Sequence, residues 1–172
     1  IWELANGIDR RPVERKVVPR QISRETSLEE DTNDIRLVRG ILQYLTERIA
    51  KKLREQELVC RRLSVKIGYS DFKRHTRSQS LSRPCNEGRE LFGIAGQVFE
   101  EMRLRRVRIR HVGMAVNHRE PLHFQHFLFK EQSRQELLTA AADEIRARFG
   151  FMALLPADTL ELKGKYQMQA NG

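Results

Sequence analysis

The stretch "LVCRRLSVKIGYSDF", residues 58–72, changes the hydrophobic period of the chain. Leu63, Val65, Ile67 and Tyr69 alternate with Arg62, Ser64, Lys66 and Gly68, the period of two expected of a strand buried on one face only. Upstream the period is different. From Asp34 onward, apolar residues fall at Ile35, Val38, Ile41, Leu42, Leu45, Ile49 and Leu53, which predicts an amphipathic helix to about Glu57, with capping side chains supplied by Asp31, Thr32 and Asn33. Downstream, "SDFKRHTRSQSLS" is polar, rich in Ser, Thr and basic residues, and reads as the second strand of a hairpin.

The outer elements follow the same logic. "PCNEG" breaks the chain, after which Leu91, Ile94, Ala95, Val98 and Met102 predict another amphipathic helix. In "RRVRIRHVGMAVN" (105–117), Val107 and Ile109 alternate with Arg106, Arg108 and Arg110. Val112, Met114 and Val116 then resume one residue out of phase, which places a bulge near Arg110–His111. The β-branched "VVPRQISRETSL" (17–28) supplies a first strand. The order strand, helix, strand, strand, helix, strand predicts an α+β fold of two layers, a βαββαβ unit whose four-stranded antiparallel sheet carries two helices on one face. A C-terminal helical extension follows: Ser133 and Glu136 form a capping box, Leu137, Leu138, Ala141 and Ile145 repeat, and Gly150 ends the helix before a partly apolar tail.

The chain has 172 residues, with Lys and Arg numbering 32 against 23 Asp and Glu, for a net charge of +9. Hydrophobic residues at 40% suffice for a core. A chain opening on Ile1 rather than Met reads as part of a longer protein. No run approaches the roughly 18–20 apolar residues of a membrane span, and no signal-peptide pattern is present. Cys60 and Cys85 have no CxxC spacing and read as reduced thiols of a cytoplasmic protein.

The charge has a direction. The face away from the helices collects Arg62, Lys66, Arg106, Arg108 and Arg110, with acidic residues nearly missing from the expected strands. Cations with hydroxyls suit a phosphate backbone, which they bind in a salt-dependent way with little base information. An ordinary solvated sheet face mixes both signs of charge. A single-strand RNA reader of this strand order exposes stacking aromatics on its central strands, and the outward positions here hold none.

Several stretches in order resemble one family. "ANGIDRRPVERKVVPRQISRETSLEEDTNDI" (5–35) is similar to the passage from thumb to little finger in Y-family translesion DNA polymerases; "KIGYSDFKRHTRS" (66–78) is similar to the family's hairpin, and "VRIRHVGMAV" (107–116) to its last strand. The resemblance covers about residues 1–120 and implies the end of a thumb and a linker (1–18), followed by a little finger (19–120) lying in the major groove of primer–template duplex. The contacts it implies are Arg20, Ser23 and Arg24 on the first strand, Lys73, Arg74, Thr76, Arg77 and Ser78 on the hairpin, and Arg108, Arg110 and His111 on the last strand. Ala115 and His111 depart from the family, which often carries Arg there, and "PRQIS" stands where Lys-Ser-Ile-Ser is commoner.

The resemblance also implies that the carboxylates holding catalytic Mg belong to a palm domain preceding Ile1. This stretch is then expected to be inactive and to need no cofactor or small-molecule substrate. Asp31, Asp34 and Asp71 read as caps and turn residues, and His118, His123 and His126 are too loosely grouped for zinc. Within the segment 121–130, "QHFLF" resembles the peptide by which bacterial polymerases dock on the sliding clamp: Gln125 as the hydrogen-bonding amide, Leu128 and Phe129 as pocket fillers, Phe127 as a less usual filler. The alternative is a strand or loop packing Phe127 and Phe129 on the third helix, residues 131–172 being extension and tail. The expected partners are duplex DNA, the sliding clamp and the rest of the polymerase, with no membrane. A catalytically inactive paralogue acting as a repair scaffold is the other reading of the parent.

Overall fold

The computed structural model describes residues 2–9, 21–102, 107–121 and 130–164. A short helix α1 (Trp2–Ala5) precedes strand β1 (Ile22–Thr32), helix α2 (Ile35–Glu55), strands β2 (Leu58–Tyr69) and β3 (Arg74–Cys85), helix α3 (Gly88–Met102), strand β4 (Ile109–Pro121) and helix α4 (Lys130–Phe149). Two 3-10 segments, Phe151–Ala153 and Ala157–Gly164, follow. The four strands form one antiparallel sheet in the order β1-β4-β2-β3, the expected two-layer α+β fold.

Local chemistry starts α2 at Asp34, just after the caps expected at Asp31, Thr32 and Asn33. The Asp34 carboxylate accepts from the N–H groups of Arg36 (2.9 Å) and Leu37 (3.2 Å), satisfying donors that the first helical turn leaves unpaired. Val38, Ile41, Leu42, Ile49 and Leu53 then lie fully buried with Leu91, Val98 and Phe99 of α3 against Leu63, Val65, Ile67, Val112 and Val116 of the sheet. The bulge is also found: Gly68 faces His111 while Tyr69 faces Ile109, so Arg110 is the extra residue on β4.

Four boundaries differ from the sequence reading. β1 is described from Ile22 and runs on to Thr32, arching between Ser27 and Thr32; residues 10–20 lie outside the described set. α2 stops at Glu55, and Glu57 adopts φ 52. β3 continues through Pro84, which an edge strand tolerates because no neighbour needs the missing N–H. α4 begins at Lys130, so Ser133 is inside the helix rather than capping it.

The C-terminal extension packs on α2 in an unexpected way. Leu137, Leu138, Ala141 and Ile145, the apolar repeat of α4, are exposed, as is Phe149. The helix instead meets α2 through Asp143 and Arg146, the latter only 6% exposed. Further on, Thr159 and Leu162 are buried and the segment Ala157–Gly164 lies on α2 at Gly40. A methyl group at Gly40 would stand 2.8 Å from the Asp158 carbonyl oxygen. Gly40→Ala is therefore expected to cost the full chain about 1–3 kcal/mol through overpacking against backbone. In a chain ending at Pro156 the same change should instead stabilise by ~0.5–1 kcal/mol, the ordinary helical gain of Ala over Gly. Thermal melts of the four proteins check the change of sign.

Candidate nucleic-acid interface

The strand register lines up side chains across the sheet face that the helices leave open. One row runs Ser23, Ala115, Ser64, Ser78; the next Glu25, Gly113, Lys66, Thr76; a third Ser27, His111, Gly68, Arg74. Asn117, Arg62 and Ser80 continue the pattern at the other end. The middle of the face is therefore built of small and hydroxylated residues, with Ser64 and Ser78 hydrogen-bonded at 2.8 Å.

The central charges pair with one another. Lys66 Nζ reaches Glu25 Oε2 at 2.7 Å over the bare backbone of Gly113, where a Cβ would approach Glu25 Cβ to 3.0 Å and Lys66 Cβ to 3.5 Å. His111 Nε2 lies 3.3 Å from the same carboxylate oxygen, and its Nδ1 lies 3.2 Å from Ser27 Oγ. The hydrogen bond from Lys66, aided by His111, holds the Glu25 carboxyl below its ordinary range. Glu25 corrects the expectation of an acid-poor face: it neutralises the centre.

Cations without an ion pair among the described residues sit around that centre. Arg62 lies toward one end; Lys73, Arg74 and Arg108 lie at the other, around the β2–β3 turn, and all four are exposed. Arg110 is committed elsewhere: both Asp31 oxygens accept from it, at 2.9 and 2.8 Å, and its guanidinium covers the Phe72 ring at 4.5 Å. That pairing holds the Asp31 carboxyl below its ordinary range.

Of the residues singled out from sequence, the open face brings together Ser23, Arg62, Lys66, Arg74, Thr76, Ser78 and His111, with Lys73, Arg108 and Arg110 at its turn end. Two fall on the helix side by strand phase. Arg24, opposite Met114, is half-buried with its Nε unbonded, and Arg77, opposite Val65, forms an ion pair with Glu101 at 2.6 Å. Arg20, Arg106 and the peptide residues Gln125, Phe127, Leu128 and Phe129 lie outside the described residues, as do His123 and His126. Ser27, Ser80 and Asn117 were not anticipated, although the period of two from Ile22 already places Ser23, Glu25 and Ser27 on one face.

Cys60 faces Cys85 across β2 and β3; burial pushes both thiols up to about 12, so neither is a thiolate nucleophile at neutral pH. Among the described residues no helix is long and apolar enough to cross a membrane.

Residues 19–126 match the profile of the impB/mucB/samB family C-terminal domain, more than half of the chain. The chain belongs to this family. It carries a C-terminal little finger domain of the Y-family polymerase type. The chain is 33% identical over 160 residues, 92% of its length and 41% of the relative, to a DNA polymerase IV of Dehalococcoides mccartyi. It is 41% identical over 83 residues, 48% of this chain and 23% of the relative, to a DNA polymerase IV of Methanoculleus marisnigri. The chain thus spans less than half the length of these curated relatives. Among solved structures, the post-insertion binary complex of Dbh DNA polymerase superposes with a TM-score of 0.51 over 68% of this chain and 33% of that one; at 16% identity the likeness is one of fold.

Proposed function

We propose that this little finger grips the backbone of primer–template duplex DNA with its open sheet face and carries its polymerase to a sliding clamp. The observation that carries the DNA reading is the division of charge on that face: a hydroxyl-rich centre whose Lys66 is held by Glu25, flanked by Arg62 toward one end and by Lys73, Arg74 and Arg108 at the other. Such a surface admits a close backbone and offers cations where phosphates pass, without side chains arranged to read base edges. The relatives named DNA polymerase IV support DNA synthesis as the activity of the whole protein.

The clamp reading rests on "QHFLF", residues 125–129, between the end of β4 at Pro121 and the start of α4 at Lys130. An extended peptide with one amide and two large apolar anchors suits a pre-formed pocket on a partner.

The DNA reading is tested by titrating labelled duplex at several salt concentrations. If four phosphates are neutralised, the logarithmic slope is about −3.6, and affinity falls roughly 600-fold between about 50 and 300 mM monovalent salt. Binding that ignores salt over this range would sink the phosphate-contact assignment.

A further inference from the structure

The turn joining β2 to β3 carries a residue that neither backbone preference nor burial explains. Phe72 N–H donates to the Tyr69 carbonyl at 3.0 Å, Tyr69 N–H donates to the Lys73 carbonyl at 2.9 Å, and Asp71 Oδ1 accepts from Lys73 N–H at 3.2 Å. This tight bulged turn puts Phe72 at φ 62, the left-handed region that glycine ordinarily fills in such hairpins. A bulky residue there is strained. Yet Phe72 is 80% exposed, so packing does not compensate.

What the ring has is a brace. Arg110 lies over it at 4.5 Å, and Arg110 is itself fixed by two hydrogen bonds to Asp31. One side of the ring is therefore backed by a held guanidinium, and the rest faces solvent. Lys73 and Arg74 follow it in the hairpin, and the Arg108 carbonyl accepts from Ser70 N–H of the same turn at 2.9 Å; all three are exposed and without an ion pair among the described residues. Strain kept at an exposed, braced aromatic beside unpaired cations is the kind of outlier that functional sites retain.

We propose that Phe72 is a base-stacking residue: its open ring face takes an unpaired nucleobase of a DNA strand whose phosphates Lys73, Arg74 and Arg108 hold. The proposal rests on the DNA-binding reading and extends it from duplex backbone to single-stranded DNA beside the duplex. The shared surface of all four bases is a π-face, so the contact is indifferent to sequence.

Phe72→Gly separates stacking from structure, because glycine suits the left-handed turn. In the full chain it is expected to keep or raise the melting temperature, to weaken binding of a duplex with a thymidine overhang roughly tenfold, and to leave blunt-duplex affinity unchanged. A second variant reads the contact directly. Trp2→Phe removes the single tryptophan, and Phe72→Trp in that background gives one emitter at the turn. The overhang should quench it and blunt duplex should not. Three results overturn the proposal: DNA bound without quenching; equal quenching by blunt duplex, which signals packing on sugars; or a Phe72→Gly variant that melts earlier and binds as before, which makes the ring a mere clip for Arg110. If the unsubstituted chain binds neither DNA, the DNA-binding reading fails first.

Discussion

Alanine at Leu128 and Phe129 together is expected to lower affinity for a bacterial sliding clamp by roughly a thousandfold while leaving the melting temperature of the little finger unchanged. Central apolar anchors of small interfaces commonly cost at least ~2 kcal/mol each on truncation, and two such losses make about three powers of ten. Truncating Gln125 should cost less, because its amide recovers solvent hydrogen bonds when the clamp is absent. Surface plasmon resonance on immobilised clamp with a parallel thermal melt checks both halves. Unchanged affinity, or a fall in melting temperature matching the loss of binding, would make these residues core and remove the clamp reading while leaving the DNA face untouched.

The largest expected structural effect belongs to Arg146→Ala. Arg146 is buried under α4, donating to Glu47 Oε2 at 2.9 Å and to the Leu154 carbonyl at 3.0 Å, with the Phe151 ring 4.8 Å from its guanidinium. Beside it Arg54 binds both oxygens of Asp143, at 2.6 and 2.9 Å, and the Asn86 carbonyl at 2.8 Å. Removing Arg146 strands the Glu47 carboxylate, whose side chain is 15% exposed. A buried ion pair broken from one side costs about 3–5 kcal/mol. Because α4 holds α2 through polar groups while its apolar residues face solvent, the helix should release rather than the core unfold. Amide exchange is then expected to speed up across Gln135–Phe149 and stay slow in β2 and β4. Adding Glu47→Gln should restore part of the protection by removing the stranded charge. Protection of α4 that survives Arg146→Ala would show that the ion pairs do not hold it.

That helix also shows where local reasoning stops. The spacing of Leu137, Leu138, Ala141 and Ile145 identified a helix correctly, but the stripe is not its buried face. Helical periodicity reports which residues share a side; it does not report what waits opposite. Here α2 offers Glu47 and Arg54, and α4 meets them with Arg146 and Asp143. The β-bulge was legible for the converse reason. A slip in a period of two between Ile109 and Val112 appears within one strand, and any sheet burying both residues on one side must absorb the extra one.

The DNA face was legible in part for similar reasons. Arg62, Ser64 and Lys66 alternate with three core residues, so their outward direction needed no partner strand. The family resemblance points Arg24 and Arg77 toward DNA, whereas strand phase turns them to the helix side. Phe72 sat in plain view within "SDF", but nothing local announces a left-handed phenylalanine braced by an arginine from another strand.

By itself the sequence determined the kinds of element, their order, the two-layer α+β arrangement and the basic character of one sheet face. These depend on hydrophobic period and on caps, which act over a few residues. Only the tertiary structure decided which cations remain available. Lys66 meets Glu25 from 41 positions away, Arg110 meets Asp31 from 79, and Arg77 meets Glu101 across the helix side of the sheet. Ion pairing acts over a few ångströms between groups that the fold alone brings together, so the sequence could count the charges but not pair them.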